Sequence, residues 1–128
     1  MYTVPRSTRT AVVLTVSTAW LLGGAAVALA HAQLVRAEPA VGGSSSKSPN
    51  EVTLNFSERL ERAFSSVVVR DASGKQVDKG DAAVDKKDRR IIRVSLPTLE
   101  PGVYKVEWLA VSADTHKING NFTFKVGE

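Results

Sequence analysis

Residues 99–111 read Leu-Glu-Pro-Gly-Val-Tyr-Lys-Val-Glu-Trp-Leu-Ala-Val, and the fold class turns on how they are parsed. Tyr104, Val106, Trp108 and Ala110 share one parity across Gly102–Val111, with Lys105 and Glu107 on the other. A period of two with one apolar side belongs to a strand whose single face lies on a core. Pro101-Gly102 punctuates its start. Leu99 to Tyr104 also has the form of a tyrosine corner, in which the phenol hydrogen-bonds the backbone a few residues upstream. The alternative is a core aromatic with its hydroxyl at the rim, and either reading fits an antiparallel β fold.

The same alternation extends outward. Val52, Leu54 and Phe56 alternate in Glu51–Phe56, Val67 and Val69 in Ser65–Arg70, and Ile92, Val94 and Leu96 in Arg90–Leu96. Phe122, Phe124 and Val126 mark a last strand, and a short strand is expected over Ala32–Ala37. Gly42 to Ser46 reads as a polar loop and Asp71-Ala72-Ser73-Gly74 as a hairpin turn. Asn119-Gly120 is a tight-turn dipeptide just before the last strand. Glu58–Phe64 has enough helical character for one turn, and Asp78–Arg90 reads as a solvated excursion containing a strand fragment. Short strands, frequent turns and no long helix predict an all-β, antiparallel sandwich or small barrel.

Residues 1–30 form a separate unit. Arg6 and Arg9 precede an apolar run from Ala11 to Leu29, which closes on Ala28-Leu29-Ala30. That is the three-part layout of a secretory signal with a small-x-small cleavage site. A membrane anchor is the competing reading, since about 19 apolar residues just span a bilayer. The layout favours cleavage after Ala30, leaving residues 31–128 as one domain with no second long apolar run, and hence not membrane-embedded. The leader holds two of the seventeen basic residues and none of the thirteen acidic ones, so the remainder carries fifteen against thirteen. With no basic cluster interleaved with aromatics, nucleic acid is not an expected partner. Cysteine is absent and the single methionine is Met1. A metal site in the processed chain must therefore use nitrogen and oxygen ligands.

The processed chain has two histidines. His31 becomes residue one, so its α-amine and imidazole can close a chelate ring on one ion, and an amine with a pKa near 8 gives up its proton readily to a metal. A histidine left at a frayed terminus by chance is the alternative. His116 follows Asp114 by two residues, and in an extended segment both project from one face. The alternative there is a solvated turn. Together these residues offer an amine, two imidazoles and a carboxylate, a set suited to tetragonal Cu(II), with Ni(II) and Zn(II) as competitors. Spacing alone does not bring His31 to His116.

Six segments in order carry a family resemblance: His31-Ala32-Gln33-Leu34, Glu38-Pro39-Ala40, residues 49–58, residues 99–108, residues 111–116 and residues 120–126. They resemble the CopC family of periplasmic copper-binding proteins over nearly all of residues 31–128. The resemblance implies a cupredoxin-like Greek-key β-barrel that binds Cu(II) through His31, by amine and imidazole, with Asp114 and His116. It further implies that Glu58 orients the terminal amine, that the protein works in the periplasm, and that copper passes to a CopD-type inner-membrane transporter. Two departures bear on the site. Where the family reads Ser-Ala-Asp-Gly-His-Pro this chain has Ser-Ala-Asp-Thr-His-Lys, so a β-branched residue must make a turn that can require φ > 0. Lys117 also adds a cation near the metal. The absence of methionine beyond position 1 removes the Met-rich Cu(I) site of some members, which predicts a Cu(II)-only carrier or buffer, not an enzyme. Two other functions fit parts of the pattern. One is a copper-dependent oxidase with an N-terminal histidine brace; the other is a metal-free Ig-like module for adhesion or structure.

Overall fold

The computed structural model describes residues 32–127; the expected signal peptide and His31 lie outside the described residues. Eight strands follow in chain order: β1 (Leu34–Glu38), β2 (Ser44–Ser45), β3 (Glu51–Phe56), β4 (Ser66–Arg70), β5 (Ala83–Val84), β6 (Ile91–Ser95), β7 (Gly102–Val111) and β8 (Lys117–Val126). They form two four-stranded sheets, ordered β1-β3-β6-β5 and β2-β8-β7-β4. The expected all-β sandwich is the observed fold. Among the described residues no helix is long and apolar enough to cross a membrane.

The period-2 pattern explains the layers. Val52, Leu54 and Phe56 from one sheet are buried against Val106, Ala110, Phe122 and Phe124 from the other. Their intervening neighbours on β7 and β8, such as Lys105 and Thr123, face out. The tyrosine corner forms: the Tyr104 hydroxyl donates to the Glu100 carbonyl at 2.6 Å, and its ring stacks on Phe124 at a centroid distance of 5.6 Å. The phenol is pushed above its ordinary pKa, chiefly by burial and then by Asp71 and Glu100.

Two expectations are corrected. Asn119-Gly120 is not a turn; it lies within β8, with Asn119 opposite Leu109 and Gly120 opposite Trp108. Glycine is required there by packing, because a Cβ at Gly120 would lie 2.3 Å from the Trp108 ring. That indole meets Phe56 edge-on at 5.2 Å. Ser44-Ser45, read as loop, adds a short parallel strand beside Lys125-Val126. The Asp71–Gly74 turn forms as expected, closed by Gly74 N donating to the Asp71 carbonyl at 2.9 Å. So does the single turn before β4, where Ser65 N reaches the Glu61 carbonyl at 3.2 Å.

Candidate metal centre

Moving the Asn-Gly pair into β8 leaves Ser112–His116 as the whole β7–β8 connection, and the D-x-H motif occupies it. The loop closes on itself: Ser112 N donates to the His116 carbonyl at 3.0 Å and Thr115 N to the Ser112 carbonyl at 2.8 Å. Thr115 adopts φ +72°, among the described residues the one non-glycine position with positive φ. The left-handed turn implied by the Gly-to-Thr departure is therefore kept, made by a β-branched residue that disfavours it.

Asp114 and His116 are brought together. His116 Nδ1 lies 2.8 Å from Asp114 Oδ2, with both side chains about half exposed. Asp114 Oδ1 accepts a short hydrogen bond from the hydroxyl of Ser112, which is 2% exposed. These contacts hold the Asp114 carboxyl down at about 2, the Ser112 hydroxyl contributing most and His116 next. The carboxylate is thus ionised throughout the neutral range, and Ser112 fixes its direction. Ser112 is a residue that sequence reasoning missed as a contributor. Its signal was a hydroxyl two residues before the aspartate, on a strand end otherwise entirely apolar.

The neighbouring loop carries Glu58. Leu60 bridges to Ser112, Ala113 N donates to the Arg59 carbonyl at 3.0 Å, and Glu61 N donates to the Val111 carbonyl at 2.7 Å. On its other side Leu60 N donates to the Arg89 carbonyl at 2.8 Å. Residues 57–61 are therefore clamped between the 112–116 loop and the 85–90 loop. Glu58 and Asp114 line one open cavity of about 860 Å³. The Glu58 carboxylate has no hydrogen bond or ion pair to any described residue.

The start of the described chain reaches the same place. Gln33 N donates to Ser57 Oγ and Ser57 N donates to the Gln33 carbonyl, each at 2.8 Å, while Ala32 is 1% exposed. Ala32 and Gln33 are fastened one residue from Glu58. Among the described residues no group of three histidine, cysteine, aspartate or glutamate side chains is gathered for a metal. Asp114 and His116 supply two donors, and His31 lies outside the described residues. The donor chemistry of this pair, one carboxylate and one imidazole, fits a borderline divalent ion.

Comparison with known proteins gives a consistent set of matches. The CopC domain family matches residues 34–127. Copper resistance protein C of Pseudomonas syringae pv. tomato is 38% identical over 109 residues, covering 79% of this chain and 84% of that protein. Copper transport protein CutJ of Bacillus subtilis is 33% identical over 100 residues, covering 77% of this chain and 18% of that longer protein. The crystal structure of PcoC, described as a methionine-rich copper resistance protein from Escherichia coli, superposes with a TM-score of 0.66 at 34% identity. That match covers 76% of this chain and 99% of PcoC.

Proposed function

The chain belongs to the CopC domain family, and on that premise we propose that it is an exported carrier binding one Cu(II) through His31, Asp114 and His116. Copper binding without enzymatic activity is the family's character, which sets aside both the histidine-brace oxidase and the metal-free module. The observation that carries the reading is the pairing of Gln33 with Ser57. It fastens the chain immediately after His31 to the loop that shares a cavity with Asp114. Consecutive Cα atoms are about 3.8 Å apart, so the amine and imidazole of residue 31 have one residue's reach from Ala32. Glu58 stands at the same point with a carboxylate that no described residue engages, suited to accept a hydrogen bond from that amine.

Export follows from the leader, and cleavage after Ala30 creates the amine, so removal of the leader switches the chelate on. The periplasm is the compartment in which such a carrier works. Cu(II) is favoured over Cu(I) by a nitrogen and oxygen donor set in a chain with no cysteine and no methionine beyond Met1. PcoC, by its description methionine-rich, differs in this respect. Delivery to a CopD-type membrane transporter is supported by CutJ, a copper transport protein in which the matching stretch is 18% of a longer chain.

The test is a Cu(II) titration followed by EPR on two forms of the protein. One begins at His31; the other carries one additional residue ahead of it. The extended form should lose affinity by at least tenfold and change its nitrogen hyperfine pattern. Equal affinities with equal spectra would remove the terminal chelate.

A further inference from the structure

A site that receives a cation is expected to be walled by acids, and this one is not. Arg59, Lys86, Lys87, Arg89 and Arg90 line the 860 Å³ cavity, against Glu58, Asp88 and Asp114. Two of the five cations are already committed. Arg89 Nη2 donates to the Leu60 carbonyl at 3.0 Å and pairs with Glu61 at 3.3 Å, and Arg90 Nε pairs with Asp88 at 3.1 Å. Arg59, Lys86 and Lys87 are exposed and have no ion pair among the described residues.

The lysines rise from a fixed backbone. Asp85 Oδ1 accepts the amides of Lys87 and Asp88 at 2.7 and 2.8 Å, and Asp85 N donates to the Ile91 carbonyl at 2.8 Å. The Arg62 guanidinium holds the Lys86 carbonyl at 3.1 Å. Glu58 and Asp114 offset part of this charge, but the lining keeps a positive excess, and its exposed cations at Arg59, Lys86 and Lys87 draw an anion to that side of the cavity. The volume falls within the roughly 300–1,000 Å³ of small-molecule sites, and the cavity is concave. It suits a compact polyanion better than a flat protein or membrane surface.

We infer that this cavity is an anion subsite, and that copper reaches the metal centre as the anionic chelate of a small polycarboxylate. Free carboxylate oxygens of the chelate seat on Arg59, Lys86 and Lys87, which turns its metal end toward Asp114 and His116. Transfer is then a ligand exchange. Copper–oxygen bonds to the polycarboxylate break as bonds to the protein donors form, with copper's oxidation state unchanged. The imidazole binds through one ring nitrogen and keeps its proton on the other, and the polycarboxylate departs as the free anion. The transfer step rests on the copper site proposed above; the subsite itself does not.

The experiment uses the form beginning at His31, with citrate as the probe. In the copper-free protein, citrate should shift the backbone amide resonances of residues 86–90, and a K86Q/K87Q double variant should weaken that binding at least tenfold. At low ionic strength the variant should take copper from copper–citrate about tenfold more slowly, an effect that fades with salt. Uptake from the uncharged bis-glycinate chelate should keep its rate. Citrate shifts that are absent, or that fall elsewhere, would overturn the subsite. So would inorganic phosphate or an acidic peptide matching citrate in the same residues, since the cavity would then select charge alone or a protein partner. Equal slowing with both chelates would overturn the delivery step. Failure to take copper from either chelate in the unsubstituted protein would count against the copper site, while the copper-free citrate arm still decides the subsite.

Discussion

Thr115 holds φ +72° inside the loop that carries Asp114 and His116, a conformation that costs an L-residue roughly 1–2 kcal/mol. Thr115→Gly removes that cost but loosens the unfolded chain by about 0.5–1 kcal/mol. The expected net gain is about 0.5–1 kcal/mol, read as a higher urea midpoint; a lower midpoint would show that the threonine side chain has a stabilising role of its own. Tyr104 is the converse case, a local rule obeyed. Tyr104→Phe keeps the ring on Phe124 and deletes the 2.6 Å bond to the Glu100 carbonyl. It should cost about 1 kcal/mol in chemical denaturation. No loss would mean that water replaces the phenol at that carbonyl without penalty.

At the scale of elements, the β7–β8 hairpin is the scaffold of the site. Its ten-residue register runs from Gly102 opposite Val126 to Val111 opposite Lys117, so the loop is delivered by a rigid ladder. The ladder passes over one tight point, where Gly120 lies beneath Trp108, itself packed on Phe56. Gly120→Ala must push the indole off its seat and should destabilise by roughly 1–3 kcal/mol, with a change in Trp fluorescence. An unaltered emission spectrum and midpoint would mean that the ring swings aside freely. The 85–90 turn has a different origin, since one carboxylate organises it. Asp85 is held at about 2 by the amides of Asp88 and Lys87 and then by Arg93. Its pKa is depressed, so its contribution is fully present above about pH 4 and is lost as pH falls toward 2. Asp85→Asn should flatten the acid limb of a stability–pH curve in that window; parallel curves for the two proteins would contradict this.

Across the whole molecule, three loops meet at one end of the sandwich: residues 57–61, 85–90 and 112–116. The described chain also begins there, at Ala32 and Gln33. The opposing sheets contribute structure, while donors and charges come from connections, as is usual where a rigid scaffold positions a site. The proposed preference for Cu(II) belongs to this scale, since it depends on what the entire chain lacks. With no cysteine and only Met1, the processed protein should fail to hold Cu(I) against a competing Cu(I) chelator such as bicinchoninate. Tight retention of Cu(I) would require a site built from the two histidines alone.

Much of the fold was legible in the sequence, because a strand with one buried face writes its register as a period of two. Residues 51–56 carried that signal cleanly, residues 104–108 carried it in β7 before Leu109 and Val111 put apolar residues on the other parity, and Pro101-Gly102-Val103-Tyr104 carried the corner. The absence of sulfur ligands, the D-x-H spacing of Asp114 and His116, and the expected end of a leader before His31 were equally local readings. Tertiary structure alone decided what is non-local. Gly120 reads as a turn residue until the Trp108 ring is seen to occupy the space of its Cβ. Ser112 reads as filler until burial directs its hydroxyl onto Asp114. The charged stretch before β6 reads as solvent-facing coil until Leu60 and Arg89 join two loops far apart in sequence. Periodicity encodes which face of a strand is buried, but the convergence of separate loops is fixed only when the two sheets pack.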